Sequence, residues 1–143
     1  MKWLTPTGRP KDIKGIHEYR VDWDGEQGSE YSATILDLLY PYWKYDVVYA
    51  ELPVVGTNRL RYDYVNVSKR IICECDGKQH DQFSKHFHGD CREKYKKQIK
   101  NDLLKDSAAS RNGYTMVRVK PSDLPALEAD IKKWFFETYN ITL

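Results

Sequence analysis

Asp63, Glu74, Asp76 and His80 fall within one short segment, RYDYVNVSKRIICECDGKQH, residues 61–80. Successive side chains of a strand point to opposite faces. Along Ile71–Asp76, Ile71, Cys73 and Cys75 therefore share one face, and Ile72, Glu74 and Asp76 share the other. Two carboxylates on one side of an otherwise apolar strand repel each other and lose hydration on burial. The run before them, Leu60–Val67, is also strand-like and is separated from them by Ser68-Lys69. With that pair as a two-residue hairpin loop, Asp63 falls directly across from Glu74, with side chains about 5 Å apart. A divalent cation would turn this repulsion into chelation, and hard carboxylate oxygens select Mg²⁺, Mn²⁺ or Ca²⁺. Gly77 lets the chain turn after Asp76, so the imidazole of His80 can return over the carboxylates and accept a proton from water. Each residue alone has an ordinary reading as a solvated strand acid, a turn or a structural histidine. Their combination in one compact pattern is what points to chemistry.

These residues need a sheet and helices to hold them. A helix is predicted from Ser29, a capping residue, to about Pro41, with Ile35, Leu38, Leu39 and Tyr42 at helical spacing. Three strand-like runs follow, Asp46–Leu52, Leu60–Val67 and Arg70–Asp76, with Pro53 and Gly56 breaking the first from the second. Residues 77–91 read as a loop. A basic helix is predicted from Arg92 to Ser110, with Ile99, Leu103 and Leu104 as its apolar face and Gly113 as its stop. Tyr114–Val119 reads as a fourth strand. A last helix would carry Leu124, Leu127, Ile131, Trp134 and Phe135 on one stripe. The order α-β-β-β-α-β-α implies an α/β (α+β) fold in a single domain, with a mixed four-stranded sheet flanked by helices. Residues 1–28, with two prolines and four glycines, read as an irregular arm with a short strand at Glu18–Trp23, and 29–143 as the domain proper. Glu30, in the first turn of the first helix, is a further acid within reach of the site. Asp102 and Lys105, one turn apart on the basic helix, can face it.

The segment RYDYVNVSKRIICECDGKQH resembles the core of the PD-(D/E)XK nuclease superfamily. Within it, the segment is most similar to the group of very-short-patch-repair-type and phage-encoded homing endonucleases, in which a strand pair carries an Asp, then Glu-x-Asp-Gly followed by His. The resemblance continues through FHGD and YKKQIKNDLLKDSAASRNGYTMVRV and covers about residues 30 to 119. It implies a restriction-endonuclease-like fold and a Mg²⁺- or Mn²⁺-dependent endonuclease acting on double-stranded DNA, of the homing or nicking kind. It assigns Asp63 as the first metal-binding acid and Glu74 as the second, with Asp76 beside them. The superfamily's lysine would fall at 76, where this chain has Asp76. In the very-short-patch-like group a histidine takes over proton handling, which makes His80 the implied base. Glu30 and Asp102 match the group's helix acids. If a lysine is required, Lys78 or Lys105 would have to migrate into its role. Arg59, Arg61, Lys94, Lys97, Lys100 and Lys105 would bind flanking phosphates.

Composition is compatible with this and excludes other classes. Hydrophobic residues make up 41% and charged residues 31% of 143 residues, which suits a globular chain and not a disordered one. The net charge of +2 announces no partner, but residues 85–105 hold seven basic and three acidic side chains. No apolar stretch approaches the roughly 20 residues of a bilayer span, and the first residues show no leader pattern. The expectation is a cytoplasmic protein with reduced thiols, in the host cytoplasm if phage-encoded, and no membrane partner. Three alternatives stay open: a branched-DNA (junction or flap) resolvase on the same core, a non-catalytic nucleic-acid module, and a structural zinc on Cys91 with His80, His86 and His88. The last has spacings unlike any standard finger. Cutting both strands would need a homodimer, a higher homo-oligomer or two nicking events. Trp3, Trp23 and Trp43 would serve either an interface or, more simply, the core.

Overall fold

The computed structural model describes residues 2–25, 30–76 and 90–143, with Asp90 and Cys91 as backbone only. His80, Lys78, His86, His88 and the Ser29 cap lie outside the described residues, as does the side chain of Cys91. The chain forms β1 (Trp3–Leu4), β2 (Pro10–Lys11), a 3-10 turn (Ile16–Tyr19), α1 (Glu30–Trp43), β3 (Val48–Pro53), β4 (Arg61–Asn66) and β5 (Ile71–Cys75). Then come α2 (Asp90–Arg111), β6 (Thr115–Val119), α3 (Leu124–Ala129) and α4 (Ile131–Tyr139). The main sheet has the order β3-β4-β5-β6, antiparallel except for the parallel β5–β6 pair. A parallel pair needs a crossover, and α2 lies within it. This is the mixed four-stranded α+β architecture that the sequence predicts. Among the described residues no helix is long and apolar enough to cross a membrane.

The sheet separates two cores. On one face Ile71, Cys73, Val117 and Val119 pack against Ile35, Leu36, Leu39 and Trp43 of α1 and against Leu127, Ile131, Trp134 and Phe135 of α3 and α4. On the other, Ile72, Val65, Tyr62 and Leu52 meet Ala108 and Ala109 of α2 and Trp3 of the N-terminal arm. The alternation read from Ile71–Asp76 is thus the alternation of the two cores.

Several elements depart from expectation for local reasons. The first helix continues past Pro41 to Trp43. Proline forfeits one helical hydrogen bond, but the fully buried Trp43 holds the last turn in place. The expected strand at Glu18–Trp23 is a 3-10 turn followed by a single bridge between Arg20 and Tyr49. The final stripe is divided between α3 and α4 at Asp130, whose extended backbone interrupts the helix and whose carboxylate accepts the Lys133 amide at 3.1 Å. Gly113, at φ 78, ends α2 as predicted.

The face of α2 is the largest correction. Ile99 and Leu103 are 44% and 63% exposed. The helix turns Gln98, Asp102, Lys105, Ala108 and Ala109 towards the sheet instead. The N-terminal arm, read as irregular, includes the β1–β2 pair, and its Trp3 and Thr5 are buried. Asn112 fastens it, accepting the Leu4 amide at 2.7 Å and donating to the Leu4 carbonyl at 2.9 Å.

Candidate functional site

The hairpin register is the one predicted. Asn66 pairs with Ile71, Val65 with Ile72 and Tyr64 with Cys73, which brings Asp63 up to Glu74. The turn between the strands spans residues 67–70, with Arg70 at φ 56, and is not a two-residue loop on Ser68-Lys69. The backbone ladder stops at Tyr64–Cys73, and side chains carry the pairing onward. Glu74 Oε2 accepts the Asp63 amide at 3.2 Å, and Asp63 Oδ2 accepts the Cys75 amide at 2.8 Å. Opposite Asp63, Glu51 of β3 sits at φ 56 and interrupts the β3–β4 pairing. A non-glycine residue in the left-handed region costs of order 1–3 kcal/mol. The strain lies next to the place where the two acids replace the ladder.

Glu74 is 2% exposed. Lys105 of α2 approaches it, with Nζ 2.7 Å from Oε1. At that distance the ammonium is the partner of Oε1. Burial, together with the neighbouring Asp63 carboxyl, pushes Glu74 from its ordinary 4.5 up to about 8, against the opposing pull of Lys105. Arg118 of β6 is the register partner of Glu74 in the parallel pair. Its guanidinium lies 3.5 Å from Asp76, 3.6 Å from Asp102 and 2.9 Å from Asp106.

The predicted residues thus form two adjoining groups: Asp63 and Glu74 with Lys105, and Asp76 and Asp102 with Arg118. Among the described residues no three acid, histidine or cysteine side chains converge closely enough to hold one ion. Asp63 and Glu74 do fit a hard divalent ion: both are carboxylates, one is almost fully buried, and its Oε1 already faces a cation, the Lys105 ammonium. Glu30 is exposed at the start of α1. It stands at the Asp76 end of the sheet, since the next residue, Tyr31, donates to the Val119 carbonyl, which also accepts the Asp76 amide.

Beside Lys105 opens a cleft of about 290 Å³, lined by Leu60, Lys94, Lys97, Gln98, Asn101, Asp102 and Lys105. Lys94, Lys97 and Lys105 are among the residues expected to bind phosphate. Lys100 and Arg59 are exposed. Arg61 donates to the Glu51 carbonyl at 2.9 Å and lies over the Tyr19 ring. That ties it to local structure.

Sequence reasoning did not single out Arg118 or Asp106. A signal for Arg118 was present. In Thr115–Val119 the residues Val117 and Val119 take the apolar face, which leaves Arg118 on the face of Glu74. Comparison with protein-family models, with curated proteins and with solved structures gave no match, so the functional reading stands on the geometry of these side chains.

Proposed function

We propose that this protein is a metal-dependent DNA endonuclease that hydrolyses phosphodiester bonds, with Asp63 and Glu74 as its metal-binding acids. The observation that carries the reading is the pairing of half-buried Asp63 with buried Glu74 beside a lysine-lined cleft. A buried carboxylate pair is a standing cost to a fold, whereas a Mg²⁺ or Mn²⁺ ion would make the same pair favourable. The resemblance of Asp63, the Glu74-Cys75-Asp76-Gly77 run and His80 to the PD-(D/E)XK pattern supports it.

When bound, the ion would supply Lewis-acid activation of the phosphodiester and of the attacking water. Asp63 and Glu74 would hold it between β4 and β5. His80 is the residue proposed to take the proton from water. Arg118, bridging Asp76, Asp102 and Asp106, fixes the wall of the site formed by β6 and α2. Lys94 and Lys97, on the exposed side of α2, would hold flanking phosphates of double-stranded DNA. A non-catalytic binding module has no use for an acid pair that repels phosphate.

The test is supercoiled plasmid with Mg²⁺, then with Mn²⁺, beside an Asp63→Ala variant and an EDTA control. The expected result is nicking or linearisation by wild type, abolished by EDTA and reduced at least about 100-fold by the substitution. Wild-type cleavage that persists in EDTA or in Asp63→Ala would overturn the assignment.

A further inference from the structure

Lys105 has two environments within reach of one side chain. Inward, its Nζ is 2.7 Å from Glu74 Oε1. Outward, it lines the α2 cleft with Lys94, Lys97, Gln98 and Asn101. Its side chain is 17% exposed, so the route to solvent is open, while that of Glu74 is 3% exposed and fixed. A lysine is a compact point charge on a flexible four-carbon stem, able to exchange one anionic partner for another.

We propose that Lys105 is a place-holding cation of the Asp63–Glu74 pair: a divalent ion displaces it, and the freed ammonium moves into the α2 cleft to meet a backbone phosphate of the substrate. This deepens the nuclease reading and rests on it. The ammonium touches Glu74 alone, while the Asp63 carboxyl lies beside it across the strand pair. A dication, with several coordination positions, can engage both carboxyl groups at once. Hard carboxylate oxygens also bind a divalent ion in preference to an ammonium. Ammonium and dication cannot share Oε1, because like charges a few ångströms apart in a buried setting repel strongly. The displaced head group enters a cleft whose described lining holds Lys94 and Lys97 with one acid, Asp102, a local positive excess that phosphate would neutralise. Arg118 cannot take this part, since its planar head is held by three acids. Metal loading and phosphate binding are therefore coupled through one side chain.

The experiment is amine acetylation of the whole protein, in EDTA and in saturating Mg²⁺, read residue by residue by mass spectrometry, with Mg²⁺ binding followed by calorimetry. Lys105 should react about ten-fold faster in Mg²⁺, the factor that 1.4 kcal/mol represents, while Lys94 and Lys97 stay within about two-fold of their EDTA rates. In Glu74→Gln, and in Asp63→Asn as a second variant, the Mg²⁺ effect on Lys105 should disappear. Calorimetric Mg²⁺ binding without any change at Lys105 would overturn the place-holder and leave the metal site standing. Absence of Mg²⁺ binding would overturn both. Release of Lys105 by Mg²⁺ in a protein that cuts no DNA would support the exchange and refute the nuclease reading alone.

Discussion

Glu74→Gln isolates the cost of the buried acid. Glutamine keeps an oxygen that can accept the Asp63 amide and removes the ionisable group. In the wild type, burial first and the Asp63 carboxyl second push Glu74 from 4.5 up to about 8. The folded protein thus holds this proton more tightly than the unfolded chain does. The contribution to stability is fully present below pH 4.5, falls as pH rises, and is lost above about pH 8. The whole interval corresponds to roughly 5 kcal/mol. Relaxation around the charge lowers this, so the expected loss between pH 5 and pH 9 is about 2–5 kcal/mol.

Urea denaturation in EDTA, followed by tryptophan fluorescence at pH 5, 7 and 9, measures this directly. Wild type should lose stability across the series, whereas Glu74→Gln should lack that slope and be the more stable protein at pH 9. Lys105 loses its partner in the variant, but it can turn into the cleft, so its charge is not stranded. Mg²⁺ at about 100 times its dissociation constant should return about 2.7 kcal/mol to wild type at pH 9 and nothing to the variant. A stability difference between the two proteins that is the same at pH 5 and pH 9 would refute the picture of an acid whose ionisation burial opposes.

Two further substitutions test the surroundings of the site. Arg118→Ala removes the guanidinium shared by Asp76, Asp102 and Asp106 and should cost about 3 kcal/mol in thermal denaturation. Arg118→Lys should recover less than half of this, because an ammonium lacks the planar fork; full recovery would show that charge alone matters there. Asn112→Ala removes the links to Leu4 and the hydrogen bond to the Ala108 carbonyl at 2.7 Å, and should cost about 2 kcal/mol. Tryptic cleavage after Lys11 and Lys14 should then accelerate, and unchanged cleavage would show that the arm is held by Trp3 and its neighbours alone.

What could be read from the sequence follows the range of the forces involved. The strand order and the β4–β5 register were legible, because a slip of one residue would put Ile72 and Glu74 into the α1 core and Cys73 outside it. The meeting of Asp63 with Glu74 followed from that register. The end of the first helix was misplaced because Pro41 is a local signal, overridden by Trp43 buried beyond it. The break at Asp130 was hidden because both halves keep the same apolar stripe. The four-way association of Arg118 with Asp76, Asp102 and Asp106 joins three elements, and no local spacing encodes it.

The inward face of α2 was the least legible feature, and its cause is the site itself. On periodicity, Ile99 and Leu103 ought to be buried, since turning them out forgoes roughly 1.5–3 kcal/mol for each side chain fully buried. The sheet surface beneath the middle of this helix is not apolar, however. It presents Glu74, Asp76 and Arg118. Burying Ile99 and Leu103 there would leave those charges without partners, and removing one partner of a buried pair costs about 3–5 kcal/mol. Lys105, Asp102 and Asp106 answer them better than leucine can. The small residues Ala108 and Ala109, one turn further on, fit against Ile72, where the sheet becomes apolar again. The opposite face, filled by α1, α3 and α4, carries the larger apolar core and lets the strand tolerate its acids. A substitution set that made this face of β5 and β6 apolar, with Glu74→Leu and Arg118→Leu, should therefore destabilise the fold, because Asp76 and Asp102 lose the guanidinium between them whereas Lys105 can turn into the cleft. The pair should gain stability only when Asp76 and Asp102 are made apolar as well. A double variant that is already more stable than wild type in urea would show that the helix orientation is set elsewhere.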